Sequence, residues 1–329
     1  MPDQKPISGP GERKRELGIY LGYRAGEWLI NRLPRGIALP LASAAGNFAF
    51  DVATGKRALI CANLSRPMRL PANHPRVRRA ARRAFRNYAK YLVDMMRIGE
   101  ITDRQVEELV AIQNIESLRS ASGGGKGVLL CTIHVGGMDL LGPALNQLGE
   151  SLHVIADDTT YGRLYDHLAS ARARHKIFLI GWRNLRGLFK VLRGGGNLVL
   201  FCDGGYRRGD VPVEFCGEAT TFPAGPATIA ARSGAPILPV WCRRTADDRF
   251  EALGLPLIRP AGNDPAEIQR ATQELADALS ARLAVDPDQW YLFRAVWPQG
   301  DADRAHAAAA LEAARRGDDW TRLPQATAA

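Results

Sequence analysis

The sequence predicts an α/β fold: a mainly parallel central sheet flanked by helices, with a helical region ahead of it. Three observations carry the prediction. From Lys126 onward, short apolar runs alternate with helical stretches, the pattern of parallel strands joined by crossover helices. Between residues 17 and 117 only helical periodicity is visible. The 329 residues, 46% of them hydrophobic, suffice to bury a full core in one large domain or two modest ones.

In chain order, residues 1–16 are polar and read as a disordered tail, without the apolar stretch of a secretory signal. The next apolar stretch, Leu17 to Leu33, is interrupted by Arg24, Glu27 and Arg32. Gly36 to Phe50 is short and contains Pro40 and Asn47. Neither reaches the run of about 18 uncharged apolar residues that a membrane span needs. Two readings stay open: two buried helices, or a helical region lying in a membrane interface. Arg76 to Arg97 carries eight basic residues and one acidic. Its apolar positions Val77, Ala81, Ala84, Phe85, Tyr88, Tyr91, Leu92 and Met95 recur at helical spacing. It reads as an amphipathic helix whose arginine face is either solvated or docked on anionic lipid.

The strand–helix alternation then begins. GVLLCTIH is a strand, followed by a helix from Met138 to Leu148. SLHVIAD is a strand, with a helix from Tyr161 to Arg174; KIFLI is a strand, with a helix from Leu185 to Arg193. NLVLFCD, VPVEF, APILPVWCR and FEALGLPLI read as further strands, with a helix from Ala224 to Arg232 among them. Ala266 to Leu283 is a long helix with apolar residues at Ile268, Ala271, Leu275, Leu279 and Leu283. The Ala-rich residues 299–329 form a helix or a tail.

The net charge of +10 points to anionic partners: nucleic acid, anionic lipid headgroups or an acidic carrier protein. No nucleic-acid-reading motif is visible, so nucleic acid is not expected as a partner. The five cysteines form no CxxC pair, so neither a disulfide framework nor a zinc site is indicated, and a reducing compartment fits. Nothing in the sequence calls for a metal.

The chemistry-bearing residues cluster where strands end. GVLLCTIH delivers His134 to a strand end, and Gly136, Gly137 and Asp139 follow. In open parallel sheets, ligands gather at the carboxyl ends of the strands. The two glycines let the backbone turn sharply and approach a ligand, and their N–H groups would stabilise an oxyanion. Asp139, in the first helical turn, is favoured by the helix dipole. From there it is placed to turn back onto one imidazole nitrogen, which leaves the other to act as a base. The spacing alone fits equally a strand-end histidine with a capping aspartate. No GxSxG elbow is present, so a nucleophile would come from the substrate, such as an alcohol. Asp203 ends the NLVLFCD strand, and sharing the sheet's carboxyl edge would bring it near His134. The loop after it carries Tyr206, Arg207, Arg208, Glu214 and Glu218. Such a polar set suits a sugar or phosphate, or a solvated hairpin.

His134-Val-Gly-Gly-Met-Asp139 is an HX4D box on a strand end, and further segments follow it in order. GWRNLRGLFKVLRGGGNLVLFCD, EFCGEATTFPAGPATIAARSGAPILPVWCRR and DPDQWYLFRAVWP resemble successive segments of one family. NRLPRG and KRALICANLSR fit its N-terminal half. The resemblance, over roughly residues 17–298, is to the lipid A lauroyl/myristoyl and phosphatidylinositol mannoside acyltransferases, within the lysophospholipid acyltransferase superfamily. It implies one acyltransferase domain over 17–298, with a helical part (17–117) for membrane docking and a catalytic α/β part (118–298). It implies acyl transfer from acyl-CoA or acyl carrier protein as cosubstrate, with no other cofactor. It also implies a place on the cytoplasmic face of the cell membrane, peripheral or monotopic.

In that family the histidine deprotonates an acceptor hydroxyl and the acidic residue of the box orients it, which maps onto His134 and Asp139. An arginine in the helix after the second strand is expected to bind the acceptor. Arg172 is the choice, with Arg174 and Arg163 as rivals, and Asp157 is expected to face the same ligand. Asp203, Arg207 and Glu214 complete the expected substrate-binding set. Ala224 stands where broader superfamily members carry the glutamate of a PEG motif, so a glycerol-phosphate mode that depends on that glutamate is not supported. Three alternatives remain: a lysophospholipid acceptor, a thioester hydrolase, or a non-catalytic basic protein that binds anionic membranes.

Overall fold

The structure is a computed structural model; it describes residues 10–322 except Gly123, 157–160 and Trp182. Four helices come first: α1 (Pro10–Arg32), α2 (Arg35–Val52), α3 (Thr54–Met68) and α4 (Pro75–Arg97). The start of α1 at Pro10 places helix inside the stretch read as a tail, whose residues 1–9 lie outside the described residues. Pro75 opens α4, and the His74 side chain accepts the Arg76 N–H at 3.2 Å, so the first turn is capped. Helix α2 lies close along α4: a Cβ at Gly46 would stand 2.7 Å from the Phe85 carbonyl oxygen.

Next come α5 (Asp103–Leu109), closed at its start by a Thr102–Gln105 capping box, then β1 (Val110–Gln113) and α6 (Ile115–Ser122). Strand β1 corrects the helices-only reading of residues 17–117. Its VAIQ follows α5 with no intervening turn residue and is too short to show a period of two. Only its partner strand, far along the chain, makes it a strand.

The alternating part comprises β2 (Leu129–Thr132), α7 (Met138–Gln147), β3 (Leu152–Ala156), α8 (Gly162–Ala173), β4 (Ile177–Gly181), α9 (Leu185–Arg193) and β5 (Asn197–Phe201). The hairpin β6 (Val211–Phe215) and β7 (Glu218–Phe222) follows, then α10 (Gly225–Ser233), β8 (Ile237–Arg244), β9 (Phe250–Gly254), α11 (Pro265–Val285) and α12 (Asp301–Arg316). Seven strands form one sheet in the order β1-β9-β8-β2-β5-β3-β4. Every neighbouring pair is parallel except β8–β9. The fold is therefore the α/β class read from the sequence, with the hairpin standing off the main sheet.

The strands are apolar on both faces because helices cover both. Leu129 and Cys131 of β2 join one core, with α3, α4, α10 and α11. Leu130 joins the other, with Leu140, Leu141 and Leu145 of α7. The same alternation runs through β5, where Leu198 and Leu200 face the first core and Val199 the second. This parity decides which side chains meet at the carboxyl edge.

Helix α4 is a packing helix more than an outer basic face. Arg82 pairs with Asp51 of α2 at 2.6 Å, Arg83 with Asp288, and Lys90 with Asp248 at 2.8 Å. Its one acid, Asp94, is buried and holds Arg244 at 2.5 Å and Arg35 at 3.4 Å. Exposed apolar side chains concentrate on α1 and α2, where Leu21, Trp28, Leu29, Ile37, Leu41 and Phe48 stand out, with Leu148, Phe178, Leu185 and Val285 scattered further along the chain. Among the described residues no single helix is long and apolar enough to cross a membrane; α2 and α3 meet that test only as a pair bent by 97°.

Candidate active site

Strands β2 and β5 are neighbours, with Thr132 opposite Phe201. Two residues further on each strand come His134 and Asp203, on the face that also carries Leu130 and Val199. The register alone therefore sets imidazole against carboxylate. His134 Nδ1 lies 2.7 Å from Asp203 Oδ1, and the His134 backbone N–H donates to Asp203 Oδ2 at 2.9 Å. The indole N–H of Trp290 donates to the same Oδ2 at 2.9 Å. The Phe201 ring stacks on the imidazole, with centroids 4.4 Å apart. This network sets the tautomer: Nδ1 carries the proton given to Asp203, and Nε2 keeps its lone pair.

The electrostatics follow from these contacts. Burial disfavours a charged imidazole, but the Asp203 charge and hydrogen bond outweigh it, so the pKa of His134 stands above its ordinary value. Burial also works against the Asp203 carboxylate, yet His134 and the donors around it hold its pKa below the ordinary carboxylate value. The pair is built to hold a proton on the ring while the acid stays ionised.

The expectation that Asp139 orients His134 is corrected by this geometry. Five residues beyond His134, its carboxylate belongs to the first turn of α7 and faces α8 and α4. Arg172 donates to Asp139 Oδ1 from Nε at 2.8 Å and from a terminal nitrogen at 2.6 Å, and the Tyr91 hydroxyl donates to Oδ2 at 2.7 Å. Burial and the Asp139 charge push the Tyr91 pKa well above its usual value, so it is a neutral donor. Burial opposes the Arg172 charge, but Asp139 more than restores it. Asp139 reaches His134 only through space, as a further negative charge.

The glycines serve packing. Gly136 has φ +56°, and a Cβ there would lie 2.2 Å from the Cys242 carbonyl oxygen. A Cβ at Gly137 would lie 2.1 Å from the Phe250 ring. Of the two N–H groups expected to meet an oxyanion, that of Gly136 is already engaged, donating to the Gln289 carbonyl at 3.2 Å. Residues 289–291 run antiparallel beside this turn, with Val135 bridged to Trp290 and the Tyr291 hydroxyl on the Gly136 carbonyl.

His134 stands at the head of a cavity of about 610 Å³ between the sheet and helices α7 and α8. Asp139, Arg172, Tyr91 and Tyr291 line its polar end, and leucine, isoleucine and valine side chains of β2–β5, α7 and α8 line most of the rest, with Thr132, Tyr161 and Tyr165 among them. The His134 side chain is 45% exposed, so its outer edge is open on the cavity side.

The remaining expected site residues are dispersed. Glu214 sits on the hairpin, pairing with Arg315 of α12 at 2.5 Å, and does not line the cavity. The Arg207 backbone N–H is held by Thr221 at 2.9 Å, and its side chain is likewise outside the cavity wall. These two are separated from His134 because β6 and β7 leave the main sheet. Arg174 points to the Gly99 carbonyl and Glu100, so of the three arginines considered only Arg172 reaches the cavity. Asp157 lies outside the described residues. Phe201, Trp290, Tyr291 and Tyr91 were not singled out from the sequence as site residues. Phe201 had a signal, being two residues before Asp203 on the same strand face. Tyr91 had none, because its position in α4 follows the ordinary core periodicity.

Comparison with known proteins identifies the family. A family model described as bacterial lipid A biosynthesis acyltransferase matches residues 12–299. A phosphatidylinositol mannoside acyltransferase from Mycolicibacterium smegmatis is 27% identical over 293 residues, covering 87% of this chain and 94% of that protein. One from Mycobacterium tuberculosis strain H37Rv is 27% identical over 226 residues, covering 65% of this chain and 69% of that protein. With a family match that spans residues 12–299, the chain belongs to the bacterial lipid A biosynthesis acyltransferase family and is an acyltransferase.

Proposed function

We propose that the protein transfers a fatty acyl chain from a thioester of coenzyme A or acyl carrier protein to a hydroxyl of a membrane glycolipid, of the lipid A or phosphatidylinositol mannoside kind. The observation that carries this reading is His134, held on Asp203 at the head of an apolar cavity. An acyl chain in that cavity gains about 0.8 kcal/mol for each methylene taken from water. Its carbonyl then rests beside Nε2.

In the proposed reaction Nε2 takes the proton of the acceptor hydroxyl as its oxygen attacks the thioester carbonyl carbon. The carbonyl π electrons move onto oxygen and return when the carbon–sulfur bond breaks. The departing thiolate takes the proton back from the imidazolium. The products are an ester and a free thiol, with no acyl-enzyme. Asp203 stabilises the imidazolium between the two proton transfers. Asp139 acts at one remove, fixing Arg172 at the cavity's polar end, where the acceptor's polar groups would meet the guanidinium. Asp157, the next residue after β3 but outside the described residues, is a further acceptor contact in this reading.

The same reading places the protein on the membrane surface through α1 and α2, with Trp28 and Phe48 in the interface. Helix α1 also packs on α8, which covers the cavity: Glu27 holds His167 at 2.9 Å, and Glu16 caps the Arg163 N–H at 3.0 Å. The net charge of +10 suits anionic lipid headgroups, the phosphates of coenzyme A and an acidic carrier alike. The relatives' named activity supports a glycolipid acceptor.

The test mixes purified protein, or its His134→Ala variant, with labelled palmitoyl-CoA and a total polar-lipid extract, and reads products by mass spectrometry. A new acylated glycolipid made only by the unaltered protein is expected. Thioester consumed to free fatty acid in the same extract would replace transfer by hydrolysis. Equal product from the variant would remove His134 from the chemistry.

A further inference from the structure

We propose that Ile177, seated against Gly142, closes the floor of the cavity and sets the longest acyl chain the enzyme accepts. This rests on the acyl-transfer reading above. The cavity runs along one face of β3, β4 and β5, through alternate side chains such as Leu152 and Val154 on β3 and Ile177 and Leu179 on β4. Asn197 stands opposite Leu152, and Leu152 opposite Ile177, so these three share one level of the sheet. Asp203, the partner of His134, lies six residues further along the chain from Asn197. At about 3.3 Å per strand residue the span is about 20 Å. An extended chain advances about 1.2 Å per bond, three bonds covering about 3.5 Å. In the sheet order Ile177 also lies three strands across from β2, which leads to His134, about 14 Å at about 4.8 Å per strand. The diagonal is therefore about 25 Å, and a straight chain of about 20 carbons spans it.

One contact closes that floor. A Cβ at Gly142 would lie 2.4 Å from Ile177 Cδ1 and 3.1 Å from its Cγ1, so the isoleucine fills the space that a side chain on α7 would take. Both residues line the cavity, and Ile177 is 3% exposed. Valine at position 177 lacks only Cδ1 and still suits a strand. It deepens the floor by about one carbon. Alanine at 142 in that background places a methyl 2.4 Å from the vacated Cδ1 position, in close contact with the Cγ1 that valine keeps, and closes the floor again.

The experiment supplies an equimolar mixture of saturated acyl-CoA donors, from about twelve to about twenty-six carbons, with the polar-lipid extract, and reads the chain lengths in the product. For the unaltered enzyme, transfer is expected to fall by about tenfold or more for chains one or two carbons past the limit. Ile177→Val is expected to move the limit up by about one or two carbons, and Gly142→Ala/Ile177→Val to return it. Transfer with an unmoved limit in Ile177→Val overturns the floor assignment and leaves the acyl-transfer reading intact. No transfer of any chain by the unaltered enzyme overturns that reading and the floor with it. Protection of the unaltered protein and Ile177→Val from thermal unfolding by free saturated fatty acids of the same lengths needs neither acceptor nor turnover. The same limits are expected there, and identical profiles for the two proteins count against the floor.

Discussion

His134 and Asp203 close a 2.7 Å hydrogen bond across neighbouring strands, two residues beyond the register pair Thr132–Phe201. Both sit at equal distance past the end of a parallel pair, so the contact follows from register and needs no loop to fold back. Asp203 is buried and takes donors from the His134 ring, the His134 backbone and the Trp290 indole. It acts as a fixed negative charge behind the imidazole.

That arrangement makes the pH profile informative. A general base works only when deprotonated, so kcat/KM is expected to rise with pH through the pKa of His134, which lies above the ordinary histidine value. Asp203→Asn removes the charge that raises it. The acid limb is then expected to move to lower pH, while the plateau falls by about 10²–10⁴-fold as the tautomer and the imidazolium lose their partner. A profile of kcat/KM against pH for both proteins checks this; a limb that stays in place would disconnect Asp203 from His134 titration.

Trp290→Phe is expected to move the same limb the other way. Losing the indole N–H leaves Oδ2 with less donated positive charge, so Asp203 presents more negative potential to the ring and the His134 pKa rises. The plateau should fall less than for Asp203→Asn, because the carboxylate remains. The two variants have opposite shifts in one measurement, which separates them from a general loss of folding.

Much of this corner was legible in the sequence. The strand ending in His134, the one ending in Asp203 and their shared carboxyl edge all followed from apolar runs and the α/β pattern. The partner of the imidazole was not. Spacing along the chain favours Asp139, but contact is decided by the register of β2 against β5, which a single sequence does not display. Tyr91 was hidden for a different reason: on α4 a site tyrosine and a core tyrosine occupy the same helical stripe. The hairpin drew Glu214 and Arg207 away because its pairing is local, β6 with β7, while every strand at the site pairs across long sequence separations.

Asp139 and Arg172 are expected to behave as a structural pair that also shapes the cavity. Their side chains are 14% and 12% exposed, so removing one partner strands the other away from water. Asp139→Ala is expected to cost about 3 kcal/mol or more of stability, measured by denaturant unfolding. Asp139→Leu combined with Arg172→Met is expected to recover part of that loss, since no buried charge is left unpaired. Neither change should move the acid limb as far as Asp203→Asn does. A shift as large would return to Asp139 the orienting role that the geometry gives to Asp203.

The surface that meets the membrane offers the last test. Trp28 and Phe48 are 60% and 69% exposed, so replacing both with serine should leave stability within about 0.5 kcal/mol. In an interface each ring would be withdrawn from water for about 1.5 kcal/mol or more, so the double substitution is expected to lower partitioning onto lipid vesicles by about a hundredfold. Glutamates at Arg78 and Arg79, which are exposed on α4, should weaken binding only to anionic vesicles, and salt should erase the difference. Arg82 and Arg83 make poor probes of docking, because reversing them breaks their pairs with Asp51 and Asp288. Vesicle sedimentation with neutral and anionic lipids, at low and high salt, separates the contributions. Unchanged sedimentation of the Trp28→Ser/Phe48→Ser protein on both vesicle types would move the docking face away from α1 and α2.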